Sequence, residues 1–181
     1  NITDPFETGS IYKPMVVAAA LEEGIISESD MFVCNGSKTV YDWTINCWQR
    51  SGHGQQTVED VLANSCNVAM MDIGEKMGVS LFYKYQKDFG FGEKTGIDLP
   101  GEESAASLIF EESAIGPVEL ATMSFGQSFT CTAIQVMTAF SAVINGGNLM
   151  QPYVVSQIID SNGEIVYEKT PTLVRKVISE E

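Results

Sequence analysis

After Asn145-Gly146-Gly147 the hydrophobic period of this chain changes. Ahead of that break most apolar blocks carry helical spacing. Behind it, residues 153–159 and 164–169 read as two strands around the turn Asp160-Ser161-Asn162-Gly163. Helices first and a hairpin later argue for an α+β fold rather than alternating βαβ units. With 181 residues, one domain with a sizeable core is expected.

The helical blocks have recognisable ends. Residues 10–23 read as a helix that stops at Gly24, with Pro14 in its first turn, where a missing N–H costs nothing. Thr57 caps a helix over 58–64, with Asp60 three residues on. Helices are also expected over 68–77, stopped by Gly78, and over 80–89, stopped by Gly90. Residues 117–124 and 132–144 complete the set. Residues 31–48 read as an irregular stretch with one or two short strands, and 91–116 as loop.

The charge balance excludes some functions. With 24 acidic and 10 basic residues the net charge is −14, so nucleic-acid and anionic-lipid partners are not expected. No apolar run reaches the length of a bilayer span. The chain opens without an initiator Met, so an anchor or export signal outside it is expected. No cofactor is implied. Zinc is not expected either, because the four cysteines, Cys34, Cys47, Cys66 and Cys131, form no Cys-x-x-Cys pair and His53 is the only histidine.

Two short patterns carry chemistry. On a helix, residues three apart share a face, so Ser10 and Lys13 can meet. A serine hydroxyl needs a base to take its proton, and a buried lysine with a lowered pKa can be that base. Read alone, however, Ser10 is a helix cap and Lys13 a solvated side chain. The second pattern, Ser65-Cys66-Asn67, falls between two expected helices. In a turn its hydroxyl and carboxamide face one cleft, while alone either residue reads as a cap for the next helix.

Taken together, Ser10-x-x-Lys13 and Ser65-x-Asn67 resemble the penicillin-binding protein transpeptidases. Surrounding blocks extend the likeness over nearly the whole chain: Asp4-Pro5-Phe6-Glu7, Gly9-Ser10, His53-Gly54, Asn64-Ser65-Cys66-Asn67-Val68 and Asp88-Phe89-Gly90-Phe91-Gly92. Gly96-Ile97-Asp98-Leu99-Pro100-Gly101-Glu102, Met123-Ser124-Phe125-Gly126-Gln127 and Asn145-Gly146-Gly147 follow in family order. The chain is most similar to the class B, monofunctional enzymes of division, elongation and sporulation, the sporulation type among them.

The resemblance implies a penicillin-binding/serine β-lactamase-like fold, a helical subdomain with part of an antiparallel sheet. It makes Ser10 the acylated nucleophile, Lys13 its general base, Ser65 the proton relay and Asn67 the group that holds a substrate amide. The implied partners are peptidoglycan stem peptides ending in D-Ala-D-Ala, β-lactam antibiotics and other cell-wall synthesis proteins. The implied location is the extracytoplasmic face of the bacterial membrane. Alternatives are a serine β-lactamase or β-lactam sensor, and a non-catalytic partner-binding scaffold.

The family's third motif, Lys-Thr/Ser-Gly on a strand, is not expected within this chain. Lys94-Thr95-Gly96 spells it but falls in expected loop, so residues 1–181 read as a partial domain with the true motif beyond Glu181. Weak or no activity is expected of the chain alone. An oxidising exterior makes a Cys47–Cys66 pair possible as a redox control on the site; the alternative is four buried or free thiols.

Overall fold

The computed structural model describes residues 1–103 and 105–180; Ser104, inside the loop expected over 91–116, and the terminal Glu181 lie outside the described residues. A 3-10 turn, Gly9–Tyr12, leads directly into helix α1, Lys13–Glu22. Met15, Val16, Val17, Ala19 and Ala20 are all buried, so α1 is apolar on most of its circumference and lies within the core. Gly24 (φ 62°) ends it, as the sequence predicts.

The stretch after α1 holds more strand than the sequence suggests. Strands β1 (Met31–Cys34), β2 (Ser37–Val40), β3 (Trp43–Asn46) and β4 (Gly54–Thr57) form two antiparallel pairs, β1 with β4 and β2 with β3. β4 lies outside the stretch where the sequence suggests strands, because Gly-Gln-Gln-Thr has little intrinsic β-propensity and is held by its ladder to β1.

Helix α2, Val58–Ala63, carries the expected capping box, with the Thr57 Oγ1 accepting from the Asp60 N–H and the Asp60 carboxylate accepting from the Thr57 N–H. Helix α3, Asn67–Asp88, joins the two helices expected on either side of Gly78 across a kink at that residue. Helices α4 (Pro117–Met123) and α5 (Ala133–Ile144) follow, the latter with a Thr132/Gln135 capping box.

β5 (Asn148–Met150) pairs with β8 (Leu173–Lys176), and β6 (Gln157–Ile159) with β7 (Ile165–Glu168). The β6–β7 hairpin is the one the sequence announces, shorter at both strands. Its side chains are exposed throughout.

One core runs through the helices. Tyr12 sits at its centre, ring-to-ring with Phe129 at 4.8 Å, Phe91 at 5.2 Å and Phe82 at 6.1 Å. This cluster roots the turn that carries Ser10. A second fastening comes from the Gly9 N–H and the Thr8 hydroxyl, both donating to the Gly126 carbonyl, at 2.8 and 3.2 Å. Gly126 has φ +86°, and a Cβ there would lie 1.9 Å from the Gly9 oxygen. The Met123–Gln127 block thus holds the serine turn by backbone contact. No helix of the described residues is long and apolar enough to cross a membrane.

Candidate active site

Ser10 lies inside the 3-10 turn and is exposed, while Lys13, the first residue of α1, is 2% exposed. The Ser10 hydroxyl therefore does not cap the helix. It accepts a hydrogen bond of 2.8 Å from the Ser65 hydroxyl, contributed by a residue 55 positions away.

The loop between α2 and α3 is what makes this contact. Ser65 adopts a left-handed conformation (φ 51°), an unusual cost for a non-glycine residue. Cys66 is the N-cap of α3 and its sulfur accepts from the Ala69 N–H at 3.5 Å. Neither Ser65 nor Asn67 serves as the cap. Both side chains are free to face Lys13, and the intervening Cys66 points into the core.

Lys13 Nζ donates at 2.7 Å to the Ser65 carbonyl, at 2.9 Å to the Ser65 hydroxyl and at 2.7 Å to the Asn67 Oδ1. Three N–H groups meet three acceptors, which compensates the burial of the amine. Burial nevertheless pulls its pKa down to about 8, against a smaller opposing pull from nearby Cys47 and Cys66. The sequence places Ser10 and Lys13 on one helix face. In the structure the hydrogen-bonded route between them runs through Ser65.

A buried lysine of depressed pKa, linked through one hydroxyl to an exposed serine, has the parts of an activated nucleophile. The penicillin-binding protein transpeptidase domain model matches residues 1–181. The chain belongs to that family. Stage V sporulation protein D of Bacillus subtilis is 43% identical over 178 residues, covering 97% of this chain and 27% of the relative. The penicillin-binding protein PbpB of Mycolicibacterium smegmatis is 28% identical over 181 residues, all of this chain and 28% of its own length.

Solved structures share the fold. A peptidoglycan synthetase from Bifidobacterium adolescentis superimposes with a TM-score of 0.89 at 27% identity, over 99% of this chain and 32% of that one. Penicillin-binding protein 3 of Mycobacterium tuberculosis, solved in complex with aztreonam, gives 0.87 at 25% identity, over 99% of this chain and 39% of that one. The chain thus spans about a quarter of the curated relatives' length and about a third of these structures.

Within this family frame, Lys94-Thr95-Gly96 lies in loop, as expected. The Glu102 carboxylate accepts from the Thr95 N–H and hydroxyl and from the Gly96 N–H, so the segment is a loop tied to an acidic side chain.

The cysteines bring the finding that the sequence did not announce. Cys34, Cys47 and Cys66 are free thiols, 1%, 1% and 0% exposed, and with His53 they place four ligand atoms within 4.8 Å of one another. The short-spacing argument against a metal site therefore fails at this point, because strand pairing supplies the proximity. Cys34 ends β1 and pairs with Gly54, next to His53; Cys47 follows β3; Cys66 starts α3. Cys131 lies elsewhere, its backbone bridging Phe6.

The surroundings differentiate the thiols. Burial disfavours the thiolate of Cys47, but hydrogen bonds from the backbone of Asn67, Gln49 and Val68 and from the Cys34 thiol hold it below the ordinary value. Burial pushes Cys66 up to about 11. His53 Nδ1 lies 3.7 Å from the Cys47 sulfur, and Trp48 packs edge-on to the imidazole at 5.3 Å.

Proposed function

We propose that this chain carries the acyl-transfer centre of a peptidoglycan D,D-transpeptidase, with Ser10 as nucleophile, Lys13 as base, Ser65 as relay and Asn67 as substrate-amide holder. The observation that carries the reading is the continuous path Ser10 Oγ–Ser65 Oγ–Lys13 Nζ, ending on a lysine whose pKa is about 8.

As an ammonium, Lys13 donates to Ser65, which donates to Ser10. Loss of one proton from Lys13 reverses the chain: Ser10 donates to Ser65 and Ser65 to the amine lone pair. Ser10 Oγ then attacks the carbonyl between the two D-Ala residues of a stem peptide, and its proton passes through Ser65 towards Lys13. Collapse of the tetrahedral adduct breaks the C–N bond, and the stored proton goes to the leaving D-Ala amine. The amine of a second stem peptide then takes the acyl group and forms the cross-link. Asn67 keeps its NH2 for a substrate carbonyl, since its Oδ1 is committed to Lys13.

A β-lactam offers an amide of the same type and acylates the same serine. The site of action follows from the substrate: the extracytoplasmic face of the membrane, alongside other wall-building proteins. Intact-mass measurement of the full-length protein after benzylpenicillin tests the reading. The expected result is one stable adduct that maps to Ser10. Rapid release of the adduct would indicate a β-lactamase, and absence of any adduct would remove the catalytic reading.

A further inference from the structure

Beside the Ser65-Cys66-Asn67 loop, the segment Trp48-Gln49-Arg50 between β3 and β4 has a rigid backbone and two uncommitted recognition side chains. We propose that Trp48 and Arg50 form a subsite for the part of a stem peptide that precedes D-Ala-D-Ala. The indole packs against the peptide's backbone and aliphatic groups, and the guanidinium pairs with the carboxylate of its acidic residue. The subsite deepens the acyl-transfer reading and rests on it.

Position is the first support. The Trp48 Nε1 donates at 3.0 Å to the carbonyl of Asn64, the residue before Ser65. The Ser65 hydroxyl is in turn 2.8 Å from the Ser10 Oγ. With ordinary bond lengths along that route, the indole nitrogen lies no more than about 13 Å from the proposed nucleophile. An extended peptide covers about 3.3–3.6 Å per residue, so this is the reach of the first three or four residues behind the scissile bond.

Rigidity is the second. Trp48 is 62% exposed, yet its hydrogen bond to Asn64 and its edge contact with His53 at 5.3 Å hold the ring in one orientation. The backbone is held as well. The Cys47 N–H donates to the Gly36 carbonyl at 2.8 Å, and the Gly52 N–H closes a turn onto the Gln49 carbonyl at 3.0 Å. Gly36 (φ 94°) admits that turn, since a Cβ there would lie 2.1 Å from the Arg50 carbonyl oxygen. An aromatic ring already ordered in the free protein gives up little entropy when a ligand covers it.

Charge is the third, and it selects the ligand. In a chain of net charge −14, Lys38, Lys84 and Arg175 are paired with the protein's own carboxylates. Arg50 is exposed and makes no ion pair among the described residues. Its Cα is at most about 7 Å from that of Trp48, two residues away. A γ-linked glutamate in a stem peptide keeps its α-carboxylate free, and a guanidinium binds such a group through two parallel N–H donors. A neutral glycan offers the indole a sugar face but gives Arg50 nothing to pair with.

The experiment compares two substrates of the full-length protein: a D-Ala-D-Ala pentapeptide containing γ-linked glutamate, and the N-acetylated tripeptide that lacks it. The readout is the ratio of their kcat/KM values, which does not depend on how much of a variant is folded. The parent should favour the pentapeptide at least about tenfold, chiefly through KM. Trp48→Ala should cut that ratio at least about fivefold, and Trp48→Phe should recover most of the loss. Arg50→Gln should cut it about two- to fivefold and erase the parent's preference for free over amidated glutamate. A ratio near one in the parent, or one that neither Trp48→Ala nor Arg50→Gln changes, overturns the subsite and leaves acyl transfer standing. A preference that appears only when the peptide carries its N-acetylmuramyl sugar assigns the ring to the glycan and overturns it too. Turnover of neither peptide by the parent would sink the acyl-transfer reading and the subsite with it.

Discussion

The loop Ser65-Cys66-Asn67 has two faces, and they differ in almost every physical respect. Ser65 and Asn67 look towards Lys13 and an exposed serine, in a polar cluster where the hydrogen bonds through the Ser65 hydroxyl can reverse direction while the Asn67 Oδ1 only accepts. Cys66 looks the other way, towards the buried thiols of Cys34 and Cys47 and the half-buried imidazole of His53. Successive residues point apart here because Ser65 is left-handed and Cys66 is extended, so one loop faces both clusters. Such an arrangement supports Ser65 and Asn67 from the side that faces away from Ser10 and Lys13.

The largest expected effect lies on the exposed face. Ser10→Ala should abolish covalent labelling by a fluorescent penicillin altogether, because no other hydroxyl occupies the end of the proton path. The unfolding midpoint should hold, since the Ser10 side chain is exposed and the turn is rooted by Tyr12. Residual labelling at Ser65 would show that the two serines are interchangeable and would break the assignment.

Lys13→Met keeps the volume and removes the proposed base. Acylation should fall by about 10²- to 10⁴-fold, the range for loss of a general base. Ser65 and Asn67 lose their shared donor, so unfolding should cost about 1–3 kcal/mol less than in the parent. Stopped-flow acylation and thermal unfolding measure the two effects separately. An unchanged acylation rate would exclude Lys13 as the base.

These two residues also show what could be read in advance. The Ser-x-x-Lys spacing, the Thr57 cap, the Gly78 break and the Asp160–Gly163 turn are local signals, written within a few residues, and each one has its counterpart in the structure. What was hidden depends on distant strands. β4 owes its existence to β1, and β5 to β8, which starts 23 residues beyond the end of β5. The thiol and imidazole cluster belongs to the same class, since its four members spread from residue 34 to residue 66 and meet only when β1 and β4 pair. The resemblance makes Ser65 a proton relay, but its hydrogen bonds to both Ser10 and Lys13 do not follow from a helix-face argument, which joins those two directly.

Buried packing below the serine turn should matter about as much to the fold as Lys13 does to the chemistry. Phe129→Ala removes a ring stacked edge-on to Tyr12 and to Phe91, at a cost of about 3–5 kcal/mol. Denaturant unfolding checks it. A cost below about 1 kcal/mol would mean that the turn is held by its contacts to Gly126 rather than from beneath.

A smaller and graded effect comes from pH. In the proposed mechanism the neutral amine of Lys13 is the base, and its pKa is lowered from 10.5 to about 8. The acylation rate should therefore rise about tenfold per pH unit below about 8 and level off above it. Stability follows the same group with a definite sign. The folded state holds fewer protons than the unfolded one between about pH 8 and 10.5, so the cost of burying Lys13 is complete below about 8 and is relieved as pH rises through that window. A flat acylation profile between pH 6 and 9 would remove Lys13 from the proton path.

The smallest effect tests the bridge between the two faces. Trp48 packs edge-on to His53 on the sulfur side, and its Nε1 donates at 3.0 Å to the Asn64 carbonyl, one residue before Ser65. Trp48→Phe keeps a ring against the imidazole and deletes only that hydrogen bond. The indole is exposed, so water can replace the lost donor, and the stability cost should be about 0.5–1.5 kcal/mol. Acylation should stay within about threefold of the parent, because Lys13 holds Ser65 and Asn67 directly and its three hydrogen bonds outweigh one at Asn64. If acylation falls further while the unfolding curve stays in place, the Ser65 conformation depends on Trp48. The two faces would then be coupled through the ring that spans them rather than through Cys66.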